Sequence, residues 1–186
     1  KSYRFDEQLG HKIQRADCTA DTGISFMLAS RLPLEGPLTS DLKEKYQKIG
    51  TNIFQELFEY WQHYPDNQTI LRGFFGWANS PYDITVAYSD DNGRVTLESL
   101  LYAYLLKDRG YFQRAYAAVN ALRSTVGKNG HRWARIDLHH YYEKKGRKWF
   151  SKHKAPSHRY HSPHYDAWTF AAVLYGAYLI QDQEMV

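Results

Sequence analysis

The stretch Tyr88-Ser89-Asp90-Asp91-Asn92-Gly93-Arg94 contains two adjacent carboxylates, and a strongly apolar segment follows it. Related sequences occur about 70 residues earlier, at Asp21-Thr22-Gly23, and about 75 residues later, at Asp166-Ala167-Trp168. Each of them also lies at the start of an apolar segment with helical periodicity. Repeats of this length, in which one unit cannot bury its own apolar face, are typical of stacked helical hairpins.

The rest of the chain has the periodicity that such hairpins require. A helix that is apolar on nearly all sides is buried on all sides, so the short apolar segments predict an inner layer of helices. The longer amphipathic segments, which have one polar face, predict an outer layer. The result is an all-α fold, a two-layer helical ring or an arc of one. The sequence predicts inner helices at residues 19–32, 92–106 and 165–180, outer helices at residues 39–62 and 111–126, and small β-hairpins at residues 70–77 and 131–137.

The composition is typical of a folded domain with a hydrophobic core. The chain has 186 residues, 43% of them hydrophobic, and a net charge of +4. Its basic residues are scattered except at residues 144–154, which we interpret as a solvated loop, so we expect no nucleic-acid partner. Its single cysteine, Cys18, excludes an intramolecular disulfide and a thiolate metal cluster. The longest apolar run, residues 167–180, is shorter than the roughly 20 residues that a membrane span needs.

We treat residues 1–186 as a single helical-repeat domain. The chain begins at Lys1 without a methionine and ends at Val186 where a helix finishes. We therefore expect a fragment of a larger ring. An incomplete ring exposes apolar inner helices, so we also expect it to be completed by the rest of a longer chain or by another copy in a homo-oligomer.

Asp90 and Asp91 are the strongest candidates for a functional site. A carboxylate at a helix start is stabilised by the backbone N–H groups there, and the simplest interpretation is that one of the two caps the helix. The pair is doubled where one residue suffices as a cap. Equivalent positions at the other inner helices also carry acidic or histidine side chains, and in a ring of hairpins these helix starts converge. They are Asp17, Asp21, His161, His164 and Asp166.

Carboxylates, aromatic rings and an arginine in one cleft favour glycoside chemistry. One carboxyl donates a proton to the leaving oxygen, a second acts as nucleophile or activates water, and flat side chains hold the sugar ring. Asp137 is a third candidate acid. Its alternative role is structural, as the residue that ends a turn. The candidate substrate-binding residues are Tyr88, Trp77, Trp133, Arg94, Arg135, His161 and His164, with Trp168 as a further possible platform.

The motifs 88–95, 130–137 and 162–165 resemble the six-hairpin glycosidase-like proteins. That resemblance implies a partial (α/α) toroid of helical hairpins with short β-hairpin insertions. The chain is also similar to toroidal α-mannanase-like hydrolases, in which consecutive aspartates serve as nucleophile and acid/base; this implies those roles for Asp90 and Asp91 without saying which takes which. Unsaturated uronyl hydrolases share the toroid and have an arginine-rich pocket. Because this chain has Arg94, Arg132 and Arg135, an acidic sugar is an alternative substrate.

Two alternatives remain beside a glycan-cleaving enzyme. The first is a non-catalytic helical-repeat scaffold that binds a sugar or a protein. The second is a metal enzyme based on His161, His164 and Asp166. The spacing of these residues is not a recognised zinc signature and Pro163 prevents an ordinary helical pair, so we interpret the histidines as cleft-lining residues and expect neither a metal nor a cofactor.

Overall fold

A computed structural model describes residues 3–6, 11–33, 39–64, 71–81, 83–137, 146–155 and 163–181. The prediction of a mainly helical fold is confirmed, and two small antiparallel sheets accompany the helices. The helices are α1 (Ala16–Ala29), α2 (Ser40–Glu56, continued by a π-helical turn at Leu57–Trp61), α3 (Ser89–Leu106), α4 (Arg109–Ser124), α5 (Gly146–Lys152) and α6 (Pro163–Leu179). The strands are β1 (Tyr3–Asp6), β2 (His11–Gln14), β3 (Val86–Tyr88) and β4 (Arg135–Asp137).

Local sequence sets the helix ends. The Thr39 side chain accepts a hydrogen bond from the Leu42 backbone N–H at the start of α2, and Asp108 accepts one from Tyr111 at the start of α4. Lys107 adopts a left-handed backbone with φ of 53°, which ends α3 and turns the chain directly into α4. The helices α3 and α4 therefore form a hairpin.

The helices α1, α3 and α6 lie side by side and parallel. Arg15, at the start of α1, contacts Asp91 in the first turn of α3, and Arg31, just after α1, donates to the Leu105 carbonyl near the end of α3. Glycines allow the close approach of neighbouring helices, because a Cβ on Gly93 would come within 2.7 Å of the α6 backbone. The helices α2 and α4 pack against α1 and α3, respectively.

The two predicted β-hairpins are not found as such. Strand β4 pairs with β3, with Tyr88 opposite Arg135, rather than with its own neighbouring segment. In the described part of residues 70–77, an isolated bridge joins Gln62 to Phe75. The side-chain amide of Asn92 makes two hydrogen bonds to the Phe75 backbone, one to its N–H at 2.8 Å and one to its carbonyl at 3.0 Å. A side chain of α3 thus takes the place of a strand partner.

Two apolar clusters form the core, one around the α1–α2 and α3–α4 pairs and one beneath β3, β4 and α5. Between β4 and α6, the described residues contain the short helix α5. No helix among the described residues combines the length and apolar character needed to cross a membrane.

Candidate functional site

The starts of α1, α3 and α6 meet at one end of the helical layer. Asp91 in the first turn of α3 lies 2.9 Å from Arg15, the residue before α1. Its neighbour Asp90 lies 3.3 Å from Nε2 of His164, in the first turn of α6. Three helix starts that are far apart in sequence therefore place ionisable side chains next to one another.

A network of charged side chains links α1 to α3 at this end. Nη2 of Arg15 contacts Oδ2 of Asp17 at 2.8 Å and Oδ1 of Asp91 at 2.9 Å. Nη1 of Arg94, one turn further along α3, contacts Asp17 at 3.4 Å and Asp21 at 3.2 Å. We call this network the ionic cluster, and its members are Arg15, Asp17, Asp21, Asp91, Arg94 and Glu98.

Asp91 holds its proton far more tightly than an ordinary aspartate. Burial disfavours its charged form, and the nearby charges of Asp17 and Asp90 add to this effect, so that its pKa rises from 3.8 to about 7 despite the opposing attraction of Arg15. A hydrogen bond with Asp17 acts in the same direction. The carboxyl group can therefore give up or take up a proton near neutral pH, as a general acid or base must.

Glu98 lies two turns after Asp91 on α3 and is a second carboxyl with a raised pKa. Burial is the main cause, followed by a hydrogen bond to Asp21 and the charge of that residue; together they raise the pKa of Glu98 to about 10. At neutral pH Glu98 is consequently a neutral acid, able to donate to Asp21. It supplies a fixed donor within a group otherwise rich in acceptors.

Asp17 is the most enclosed carboxylate of the ionic cluster. Its side chain is 4% exposed, and both Arg15 and Arg94 bind the same atom, Oδ2. Its other oxygen, Oδ1, is buried and has no hydrogen-bond partner in the described part of the structure. A buried acceptor without a donor destabilises the folded state, because it has lost its hydrogen bonds to water. The Oδ1 atom of Asp17 is such an acceptor.

Asp90 is the more accessible member of the doubled pair. Its side chain is 21% exposed, compared with 7% for Asp91, and it faces His164, whose ring stacks on Tyr165 with centroids 4.5 Å apart. A molecule arriving from solvent therefore reaches Asp90 before Asp91. The charge of Asp90 also helps to hold the proton on Asp91.

Aromatic rings and an ion pair contact one another at the strands that precede α3. Trp77 packs edge-on against Tyr88 with ring centroids 5.3 Å apart, and the Arg135 guanidinium lies 5.8 Å from the Tyr88 ring centre. Arg135 also contacts Asp137 at 3.0 Å. The pairing of β3 with β4 positions this group, because it places Tyr88 opposite Arg135 immediately before α3 begins.

Arg94 joins the ionic cluster to the third helix start. Its guanidinium lies 5.0 Å from the centre of the Trp168 ring on α6, a distance typical of a cation–π contact. The residues that sequence analysis selected thus fall into neighbouring contacts, with Asp90 and His164 in one pair and Arg94 and Trp168 in another.

Trp133 requires a correction. We expected it to be a sugar platform, but it is 6% exposed and packs against Trp149 and Phe150 in the second core cluster. A ring enclosed in this way has no face available to a ligand, so its role here is structural. The position of His161 lies outside the described residues.

Arg132 is a buried residue that sequence analysis undervalued. Nη1 donates to Ser89 Oγ at 2.7 Å and Nη2 to Thr125 Oγ1 at 2.9 Å, and Nη1 also contacts Thr169 Oγ1 at 3.3 Å. Burial lowers its pKa to about 9, and Asp166 partly opposes the shift. Arg132 ties the first residue of α3 to α6 and to the end of α4, which fixes the helix start that carries the acidic pair.

We predicted no role for Arg15 or Glu98 from the sequence. The signal for Glu98 was its place seven residues after Asp91, on the same side of an otherwise apolar helix. Arg15 contacts Asp17 two residues later, but its contact with Asp91, 76 residues away, has no local signal in the sequence.

Among the described residues, no group of three or more histidine, cysteine, aspartate or glutamate side chains is arranged to hold a metal ion. Comparisons of the chain with protein-family models, with curated proteins and with solved structures found no match.

Proposed function

We propose that the protein is a glycoside hydrolase-like enzyme that cleaves a glycan by carboxylate acid/base catalysis. The observation that carries this proposal is the grouping of carboxyls at one end of the helices, where Arg15 contacts Asp17 at 2.8 Å and Asp91 at 2.9 Å, and Asp90 lies 3.3 Å from His164. Burial and the neighbouring charges raise the pKa of Asp91 to about 7, which supports the same proposal. Glycosidases need one carboxyl that keeps a proton to donate and another that stays ionised. Asp91, whose pKa is raised, meets the first need, and the more exposed carboxyl of Asp90 is adjacent to it in the chain.

In this proposal Asp91 is the general acid and Asp90 is the nucleophile or the base. Asp91 holds a transferable proton at neutral pH, whereas Asp90 is more exposed and can approach the anomeric carbon or a water molecule. The positive charge of Arg15 remains beside Asp91 and stabilises its carboxylate after the proton has left. Asp137, paired with Arg135, is a reserve candidate for the acid.

The aromatic residues at the same end would hold the sugar. Trp77 packs against Tyr88, which precedes Asp90 by two residues, and Trp168 lies beside Arg94. Flat rings of this kind stack on the apolar faces of pyranose rings, while His164 and Arg135 would bind hydroxyl or carboxylate groups.

We also propose that α1, α3 and α6 are inner helices of a partial (α/α) toroid whose outer layer includes α2 and α4. The parallel packing of three apolar helices, with their acidic starts at one end, supports this arrangement. On α6, Phe170, Leu174 and Tyr178 are 51%, 70% and 67% exposed. Such a face fits a further helical unit, from a longer chain or from another copy.

A glycan panel tests the proposed activity. The purified chain is incubated with neutral and acidic oligosaccharides and polysaccharides at pH 5 to 8, and new reducing ends are measured. We expect release from at least one glycan by the wild type and none by a variant that carries both Asp90→Asn and Asp91→Asn. Equal release by the two proteins would assign the activity to a contaminant and remove the proposal.

A non-catalytic binding scaffold is the second candidate. The observation that favours it is the 7% exposure of the Asp91 side chain, because a carboxylate so enclosed, and paired with Arg15, also serves as an anchor between helices. This candidate predicts that a glycan from the panel is bound with a measurable Kd but remains intact after prolonged incubation.

A further inference from the structure

Oδ1 of Asp17 is a buried acceptor for which the ion pairs of the ionic cluster supply no donor. The Asp17 side chain is 4% exposed, and Arg15 and Arg94 both contact its other oxygen, Oδ2, at 2.8 and 3.4 Å. Among the described residues, no group donates a hydrogen bond to Oδ1. Nearly all buried polar atoms in folded proteins have a hydrogen-bond partner, so this oxygen needs a donor.

Asp91 is the group that can act as this donor. Nη2 of Arg15 contacts Oδ2 of Asp17 at 2.8 Å and Oδ1 of Asp91 at 2.9 Å, so a single nitrogen brings the two carboxyls together. A side-chain hydrogen bond joins Asp91 to Asp17. A carboxyl donates only while it carries its proton, and two ionised carboxyls would face each other as acceptors. The contact between the two carboxyls therefore requires one proton for the pair.

The charges of the ionic cluster also require bound protons. Its six members comprise four carboxyls and two guanidiniums, and buried charges are stable only when they are paired. Two bound protons make the negative and positive charges equal in number. One proton belongs to the pair of Asp91 and Asp17. The other belongs to Glu98, which makes a hydrogen bond with Asp21 and whose second oxygen, Oε2, is buried without a partner among the described residues.

The other charges around Asp91 differ from Asp17 in what they can do. Burial is the main cause of the raised pKa of Asp91, and the charge of Asp17 acts in the same direction, followed by that of Asp90. Asp90 precedes Asp91 on α3 and contacts His164 of α6 at 3.3 Å. Arg15 favours the ionised form of Asp91. Asp17 is thus the neighbour that both repels a charge on Asp91 and offers an acceptor to its proton.

We propose that Asp17 is a positioning residue for Asp91, whose protonated carboxyl donates a hydrogen bond to Oδ1 of Asp17 while two arginines hold Oδ2. The inference rests on the proposed function in one respect, the assignment of Asp91 as the general acid. The proton that Asp91 gives to the leaving oxygen is replaced by one from the water consumed in hydrolysis. Repulsion between the carboxylates of Asp17 and Asp91 favours this return.

Carbon-13 NMR titration of the aspartate carboxyls tests the assignment without a substrate. In the wild type we expect the carboxyl signals of Asp17 and Asp91, assigned through their bonded carbons, to move together near pH 7, because the two groups share one proton. In Asp17→Asn the midpoint of Asp91 should fall by at least about one pH unit, a tenfold weaker hold on the proton.

Asp21→Asn is the matched control for this titration. It removes an equal charge from the same cluster, but Asp21 contacts Arg94 and makes its hydrogen bond with Glu98. The midpoint of Asp91 should therefore stay within about 0.3 pH units of the wild-type value. An Asp91 midpoint that is unchanged in Asp17→Asn, or that falls equally in the control, would overturn the assignment.

The wild-type titration decides the question even if Asp17→Asn does not fold. An Asp17 carboxyl signal that does not respond near pH 7 would rule out a shared proton. With a glycan substrate, the basic limb of kcat/KM against pH should move down in Asp17→Asn together with the NMR midpoint of Asp91, and an unmoved limb would contradict the positioning role. A protein that shows the shared titration but cleaves no glycan would retain the proton-sharing pair and remove only the hydrolase proposal.

Discussion

Asp91 Oδ1 accepts a hydrogen bond of 2.9 Å from Nη2 of Arg15, a residue 76 positions earlier in the chain. The same nitrogen contacts Asp17 at 2.8 Å, so one guanidinium holds two carboxyls in close proximity. Carboxyls this close cannot both ionise freely, and one of them keeps its proton to higher pH. The contact therefore joins two helices, and the charge of Arg15 partly opposes the rise in the pKa of Asp91 that burial and the charges of Asp17 and Asp90 cause.

Asp91→Asn should stabilise the protein in a pH-dependent way. The folded pKa of Asp91, about 7, lies above its ordinary value of 3.8, so the native state binds more protons than the unfolded state between these limits. The free energy of unfolding of the wild type therefore falls progressively as pH rises from about 4 to 7. The asparagine variant does not lose this stability, because asparagine does not ionise. Urea unfolding should show a gap in free energy of unfolding that grows over this range and is constant above it. A gap that is the same at pH 4 and pH 8 would contradict the account.

Glu98→Gln should act in the same direction over a wider range. Burial raises the folded pKa of Glu98 from 4.5 to about 10, and a glutamine side chain can donate to Asp21 without the cost of taking up a proton. We expect the variant to gain stability relative to the wild type from about pH 4.5 upward and through pH 8. The exposed Glu44→Gln on α2 is the control and should show no such trend in the same unfolding experiments. A Glu98→Gln variant less stable than the wild type at pH 8 would show that the carboxyl is ionised.

Gly93→Ala should destabilise the fold by forcing α3 away from α6. A Cβ at this position would lie 2.7 Å from the Thr169 backbone nitrogen, and overpacking against backbone typically costs about 1–3 kcal/mol. Gly110→Ala in α4 is the comparison, since its nearest contact is the Asp108 side chain at 3.2 Å. Alanine favours a helix there, so its thermal midpoint should stay equal or rise. A Gly93→Ala protein as stable as the wild type would contradict the close helix packing.

The helices were largely predictable because their signals are local. Apolar periodicity located the five long helices within a few residues, and α3 begins earlier than expected because Asp90 and Asp91 belong to its first turn rather than preceding it. The small strands were predicted less well. Strand β4 pairs with a segment about 50 residues earlier, and turn residues near residue 131 carry no information about that partner.

The residues of the candidate site were also predictable only in part. Repetition of the helix starts led to Asp90, Asp91 and His164, which the structure brings into one region. The contribution of Arg15 and the enclosure of Trp133 depend on contacts between distant segments, and composition alone gives no sign of them. An aromatic residue near a charged motif is as compatible with a core position as with a ligand platform.

The most direct test of the central claim is the turnover of a glycan by Asp90→Asn and Asp91→Asn, measured as kcat/KM beside Asp41→Asn. Asp41 is an exposed acidic residue in the first turn of α2, so its variant controls for the loss of a helix-start carboxylate. We expect a loss on the order of 10³-fold in each of the first two variants, with melting temperatures no more than a few degrees below that of the wild type, and no loss in the third. Wild-type kcat/KM in both Asp90→Asn and Asp91→Asn would contradict it.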